Sequence, residues 1–234
     1  MVADALVYHP AVSHYLKFVA TTVGRDKLLR LLQYFARFYA WYLLRTNNPA
    51  SAIKPWETMK KQFGMVRKVM RAGKNVEHIK AAAVAADNKN GDPILRYLAV
   101  GRQLGYAGYL TFDLGTLLDA TGIRKTESAK RLARESQRFW VMGLSCSVIA
   151  QAYTLWRLRQ REARVDRKEG EGVVEAKRIE VERAASRIQL TSDLCDLTVP
   201  LSALTWVNFD DGIVGLAGTL SSLLGIYSQW KKTA

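Results

Sequence analysis

The sequence has few of the residues that disulfide-stabilised or metal-binding proteins require. It contains two cysteines, Cys146 and Cys195, and three histidines among 234 residues. Two cysteines do not form a disulfide framework, which predicts a protein of a reducing compartment. His9, His14 and His78 are scattered and lack neighbouring ligand residues, so we expect no metal site.

Motifs of catalysis and nucleotide binding are missing as well. We find no phosphate-binding loop, no dinucleotide-binding fingerprint and no nucleophile elbow. The acidic pairs Asp210–Asp211 and Asp193 with Asp196 have no convergent base or metal ligand, and we interpret them as helix caps and loop residues. We therefore predict that the protein is not an enzyme and uses no cofactor.

The alternating pattern of a β-strand is also absent, and no repeat is evident. Long runs with helical periodicity predict an all-α integral membrane protein. We divide it into an N-terminal helical segment (1–50), a basic amphipathic helix with its hinge (51–92) and a membrane-embedded helical region (93–234). Within the last region, residues 157–187 carry many charges of both signs, and we predict a solvated loop containing two charged helices.

The net charge points to an anionic partner. The chain has 35 Lys and Arg against 21 Asp and Glu, a formal net charge of +14. Such an excess is typical of proteins that bind nucleic acid or an anionic membrane surface. No nucleic-acid-binding signature is visible, and the aromatic residues lie within apolar helical runs. We therefore favour the membrane and regard a soluble nucleic-acid-binding protein as the weakest hypothesis.

The stretch that carries this interpretation is residues 55–86, which we predict to form one amphipathic helix. One face contains the residues that we expect to insert into a membrane: Met59, Phe63, Val66 and Met70. The opposite face contains the cations that we expect to bind anionic lipids: Lys60, Lys61, Arg67, Lys68, Arg71 and Lys74. Such a helix lies in the membrane surface, sinks about 5–10 Å into it and favours convex curvature. Each surface cation adds about 1 kcal/mol of attraction to anionic lipids.

The same periodicity also fits a surface helix docked on a soluble core, so the pattern alone leaves both interpretations open.

Three later segments are candidates for membrane spans: 94–118, 139–156 and 213–230. Residues 139–156 are free of charge and have aromatic residues at both ends. We interpret 213–230 as the strongest span.

The first of these segments contains ionisable residues and small residues together. Arg102 and Asp113 lie three helical turns apart and share a face, while Gly101 and Gly105 allow another helix to come close. Ionisable residues in such a segment can face a bundle interior or a polar path. They motivate a second hypothesis, a pore for small metabolites, whose polar residues are Arg102, Gln103, Asp113 and Gln151.

These residues, in their order and spacing, resemble the peroxisomal biogenesis factor 11 (peroxin-11) family in its fungal form. The resemblance covers nearly the whole chain, although no single motif is highly specific. It is carried by these residues and by the late apolar segments: His9-Pro10, Gly24-Arg25-Asp26-Lys27, Arg30, Gln33-Tyr34, Arg37-Phe38, Phe63-Gly64, Arg67-Lys68, Arg71 and Gly73-Lys74.

The resemblance implies a peroxisomal membrane protein that elongates the organelle before division. It also implies homo-oligomers, engagement of the dynamin-related fission GTPase and its adaptors, and both termini in the cytosol. An even number of spans fits that topology. Spans at 139–156 and 213–230 would place the basic residues 157–187 in the matrix, against the positive-inside tendency.

Overall fold

The computed structural model describes residues 7–89, 91–165 and 170–234. All regular secondary structure within these ranges is α-helical, which confirms the predicted all-α fold. The helices are α1 (Pro10–Ala20), α2 (Thr22–Arg45), α3 (Ala50–Met70), α4 (Lys74–Asp87), α5 (Pro93–Gly115), α6 (Leu117–Ala120), α7 (Ala129–Arg164), α8 (Gly170–Ala203) and α9 (Asp211–Thr233).

Several helices begin where the sequence supplies a capping side chain. Thr21 accepts a hydrogen bond from the Gly24 amide at 2.9 Å and so caps α2. Asp92 accepts from the Ile94 amide at 2.8 Å ahead of α5, and Asp210 caps α9 in the same way. These side chains satisfy amide groups that have no partner within the helix. The interpretation of Asp210 as a cap is confirmed, but the same interpretation is wrong for Asp193 and Asp196, which are buried in the middle of α8 where they bond Ser147 and Arg30.

Glycines set the closest helix contacts. Along α9, Gly212, Gly215 and Gly218 lie against Trp41, Phe38 and Tyr34 of α2, so the two helices run antiparallel. Helices α5 and α7 are also antiparallel: Gly101 faces Cys146, Gly105 faces Gly143, and Gly108 faces Phe139. Small residues let two backbones approach, as in the packing of membrane helices.

The predicted continuous helix over 55–86 is wrong, because the chain breaks into α3 and α4 at residues 71–73. Arg71 ends α3, and Gly73 has φ +81°, which a residue with a side chain adopts only with strain. The break turns α4 away from α3, and α4 packs along α5. Periodicity alone did not reveal the break, because the apolar residues of α3 and α4 keep one continuous helical spacing in the sequence.

The two charged helices predicted within residues 157–187 are confirmed for the described residues, but they continue the long helices α7 and α8 and pair with each other, so these residues do not form a loop. Helix α7 continues to Arg164 and α8 starts at Gly170, while residues 166–169 lie outside the described ranges. Ion pairs join the two helices, among them Arg161 with Glu182 at 3.0 Å and Arg183 with Glu162. These ion pairs stabilise the parts of α7 and α8 that lie beyond the apolar residues 139–156.

The bundle buries several charged side chains and exposes many apolar ones. Arg30, Arg67, Asp193 and Asp196 are buried, whereas many Val, Leu, Ile and Trp side chains are exposed. An isolated bundle with this distribution is typical of a protein whose exterior meets lipid or other protein. A small apolar core lies between α5 and α7 around Tyr109 and Trp140, whose ring centroids are 4.9 Å apart.

Among the described residues, one helix, α7, contains a stretch long and apolar enough to cross a membrane, and 22% of that stretch is buried. A core helix of a soluble protein would be mostly buried. The segment 213–230 forms α9, whose Gly, Ser and Thr content keeps it below the same criterion. Our ranking of 213–230 as the strongest span is therefore wrong.

Candidate functional site: a polar cavity behind an apolar helix face

A polar cavity of about 500 Å³ lies among α2, α3, α4, α5, α7 and α8. Its wall contains six cationic side chains and three carboxylates. The cations are Lys27, Arg30, Arg67, Arg71, Lys74 and Arg102, and the carboxylates are Asp26, Asp113 and Asp196. The cavity therefore has an excess of positive charge inside a bundle that is apolar on its outside.

One cation of α3, Arg67, points into this interior. The Arg67 guanidinium donates to Asp26 at 2.9 Å and to the side-chain oxygen of Gln33 at 2.7 Å, and it is only 7% exposed. Burial alone raises the pKa of the Asp26 carboxyl, but the neighbouring Arg67 outweighs burial and holds that pKa below its usual value. This pair fastens α3 to α2.

A second ionic contact fastens the end of α3 to α5. Lys68 lies 3.1 Å from one oxygen of Asp113, and Arg71 lies 3.2 Å from the other. Arg71 also donates to the Tyr109 hydroxyl at 2.7 Å. Asp113 was predicted to share a polar face with Arg102, and both line the cavity. The carboxylate thus accepts from two cations on one neighbouring segment.

A buried ion pair joins α2 to α8. Arg30 and Asp196 bond through both guanidinium nitrogens, one of them at 3.3 Å, and their side chains are 8% and 10% exposed. On the same helix as Arg30, Lys27 has no carboxylate within bonding distance among the described residues. Burial, together with the adjacent Arg30, lowers the pKa of Lys27 to about 8 against the opposing attraction of Asp196 and Asp26.

The cations predicted to bind lipid occupy different environments. Lys61 is exposed, and Lys60 forms ion pairs with Glu57 at 2.7 Å and with Asp211 at 3.5 Å. Arg67, Lys68 and Arg71 are held by carboxylates of the same chain, and Lys74 lines the cavity. None of these contacts tests lipid binding, which stays a prediction.

The residues predicted to insert into the membrane lie on the outer side of the bundle. Val66 is 43% exposed, while Met59, Phe63 and Met70 are partly buried. The apolar face continues over exposed valine and isoleucine side chains of both helices: Val69, Val76, Ile79 and Val84. The helix pair therefore exposes its valine and isoleucine side chains, while Arg67, Arg71 and Lys74 face the cavity and Lys61 stays exposed.

The residues predicted to form a pore or a helix contact divide between helix packing and the cavity wall. Gly101 and Gly105 lie at the α5–α7 contact, where a Cβ on Gly105 would lie 2.5 Å from the Gly143 backbone. Arg102 projects from the neighbouring position into the cavity. Of the polar residues that motivated a pore, Gln103 also lines the cavity and bonds His78 at 2.7 Å. Gln151 is not part of its wall.

Sequence reasoning missed the contributions of α2 and α8 to this site. Two signals were present in the sequence. Arg30, Gln33 and Arg37 form a narrow polar stripe on an otherwise apolar helix, and residues 188–211 contain four Asp but no Lys or Arg. In a low-dielectric interior such unlike stripes attract each other. Pairing them would have predicted the Arg30–Asp196 contact.

Comparisons with known proteins agree with one another. A family model described as peroxisomal biogenesis factor 11 (PEX11) matches residues 12–230. Peroxisomal membrane protein PMP27 of Saccharomyces cerevisiae is 31% identical over 248 residues, which cover 100% of both chains. Peroxisomal membrane protein PMP30A of Candida boidinii is 26% identical, over 100% of this chain and 99% of its own length.

More distant relatives also match over most of their length. Peroxisomal biogenesis factor 11 of Schizosaccharomyces pombe is 22% identical, over 95% of this chain and 96% of its own length. No solved structure matches the chain significantly.

Proposed function

Because the chain belongs to the peroxisomal biogenesis factor 11 family and is a protein of the peroxisomal membrane, we propose that it elongates that membrane by inserting the apolar face of α3 and α4. Membership of this family implies a role in peroxisome biogenesis. Elongation before division is the step within biogenesis that the helix geometry supports best.

The observation that carries the proposal is the outward apolar face. Val66 and Val69 of α3, with Val76 and Ile79 of α4, are 43–63% exposed along two consecutive helices. Water is a poor solvent for such a surface, whereas the head-group boundary of a bilayer accepts it. Insertion into one leaflet expands that leaflet more than the other and bends the membrane.

The ionic contacts on the inner side give the inserted face a rigid support. Arg67 holds α3 to α2, and Lys68 and Arg71 hold it to α5. In this arrangement the exposed Lys61 is free to meet anionic head groups. We propose that Arg67, Lys68 and Arg71 reach lipid only when they separate from their carboxylate partners, and that Lys74, which lines the cavity, becomes accessible in the same step. Self-association and engagement of the fission GTPase remain further proposals from the family resemblance.

We expect Val66→Asp combined with Val76→Asp to abolish elongation while the protein still reaches peroxisomes. Both side chains are exposed in the bundle, so the substitutions leave the fold intact, but each places a charge in the inserting face at a cost of several kcal/mol. The measurement is peroxisome length in cells that express the variant, together with its localisation.

The matched control is Thr22→Asp with Ser51→Asp, which adds the same charge at exposed positions in the first turns of α2 and α3. An anion is favourable at the start of a helix, so this control should elongate peroxisomes as the parent does. Elongated peroxisomes in cells with the Val66/Val76 variant would rule out insertion of this face.

A second candidate function is favoured by the cavity. Arg102, Gln103 and Asp113 line a polar space inside an apolar bundle, which is the arrangement expected of a path for small polar metabolites. Arg102→Leu with Asp113→Leu should lower single-channel conductance in planar bilayers severalfold. The control is Arg159→Leu with Glu180→Leu, which removes exposed charges elsewhere. Equal currents from both variants would exclude these residues from a conducting path.

A further inference from the structure

The charge in the cavity is not balanced by the chain itself. Six cations line the wall with three carboxylates, a formal excess of three positive charges. Each carboxylate is already engaged: Asp196 by Arg30, Asp26 by Arg67, and Asp113 by Lys68 and Arg71. Within the described residues, Lys27, Lys74 and Arg102 form no ion pair at bonding distance; Asp193 attracts Arg102, and Asp26 and Asp196 attract Lys27, from further away. Concentrating positive charge in a partly desolvated space is costly unless an anion enters it.

Two residues of the cavity wall have donors without partners. The Nε atoms of Arg71 and Arg102 are buried, and neither has a hydrogen-bond partner in the part of the chain that the structure describes. Arg102 stacks over the Tyr106 ring at 5.7 Å, which fixes the direction of its guanidinium. The Gln137 side chain also lines the cavity with a buried oxygen that has no partner. Its amide can turn to present the nitrogen, since the two ends are nearly the same in shape.

We propose that this cavity is a binding site for a small phosphate-type oxyanion, with Arg102 and Arg71 as donors and Lys27 and Lys74 as additional positive charges. A guanidinium presents two parallel donors that match the oxygens of a phosphate group. A volume of about 500 Å³ is within the range of small-molecule pockets and holds a phosphorylated metabolite as well as the free ion. The proposal supplies the ligand class of the second candidate function and does not depend on membrane bending.

Binding is measured with the full chain in uncharged detergent micelles by titration calorimetry, with inorganic phosphate as the first probe. Arg102→Gln should weaken binding at least tenfold, because it removes the donor that no carboxylate holds. The matched control, Arg159→Gln, removes an exposed cation on α7 and should change the affinity less than twofold. Arg102→Lys keeps the charge and should recover part of the loss, which a purely structural role would not predict.

A second probe separates free metabolites from lipid head groups, which carry the same chemistry. Short-chain phosphatidic acid is titrated under the same conditions. Comparable affinity for both probes, reduced by Arg102→Gln, assigns a free anion. Binding of the lipid alone with the same dependence assigns a head group. No binding of either probe, or equal losses in Arg102→Gln and Arg159→Gln, overturns the proposal. Conductance is not measured in this test, so a protein without a pore can still pass it.

The pH dependence gives an independent reading of the same site. With sulfate as a probe that does not titrate near neutrality, affinity should fall as the pH rises through about 8, where Lys27 loses its proton. The charged and titratable groups near Lys27 are Asp26 and Arg30 on α2, Arg67 on α3, Arg102 and Tyr106 on α5, Asp193 and Asp196 on α8, and Lys232 on α9. Lys27→Met should bind more weakly at pH 7 and lose the fall. An unchanged fall in this variant would remove Lys27 from the site.

Discussion

Arg30→Met is expected to lower the free energy of unfolding by about 3–5 kcal/mol, because it leaves the Asp196 carboxylate buried without its partner. Both side chains are at most 10% exposed, so water does not replace the lost contact. The measurement is denaturant unfolding of the purified protein in uncharged micelles, followed by tryptophan fluorescence. Asp196→Leu added to Arg30→Met should recover most of the loss, since a well-packed apolar pair often substitutes for a buried ion pair.

The control for this prediction lies two turns further along the same helix. Arg37 bonds Asp211, but that carboxylate side chain is 44% exposed. Arg37→Met should therefore cost no more than about 1 kcal/mol. A double variant that stays as unstable as Arg30→Met would show that the loss comes from poor packing of methionine and not from the unpaired carboxylate.

Gly105→Leu is expected to cost about 3 kcal/mol by forcing α5 away from α7. A Cβ at Gly105 would lie 2.5 Å from both the Cα and the amide nitrogen of Gly143, and a backbone cannot move aside as a side chain can. The loss should exceed the gain of roughly 1 kcal/mol in helix propensity that glycine replacement gives. The same unfolding measurement tests this prediction, and the distance between α5 and α7 can be followed with spin labels.

Gly170→Leu is the matched control, because no atom of the described residues lies within 4 Å of the position that a Cβ would take there. It should leave the free energy of unfolding unchanged or raise it slightly. If Gly105→Leu were as stable as this control, the close approach of α5 and α7 would contribute little to the fold, and the apolar core around Tyr109 and Trp140 would have to hold the two helices.

The sequence by itself determined the helical class and the approximate positions of α5, α7 and α9. The side chain of Asp210, interpreted as a cap, marks the start of α9. This is a local signal, since a cap acts within one turn. The small residues of α5 likewise predicted a close helix neighbour without naming it.

Only the tertiary structure decided which face of each helix meets which surroundings. The periodicity of α3 separates Val66 from Arg67, but it does not say whether the cations meet lipid or the protein interior. That choice depends on Asp26 and Asp113, which lie 41 and 42 residues from their partners Arg67 and Arg71. The break was also visible only in the structure, where Arg71 caps α3 and Gly73 has a positive φ ahead of α4. Periodicity shows which residues share a face of a helix. Whether that face is buried or exposed depends on the residues that it contacts, and these lie far away in the chain.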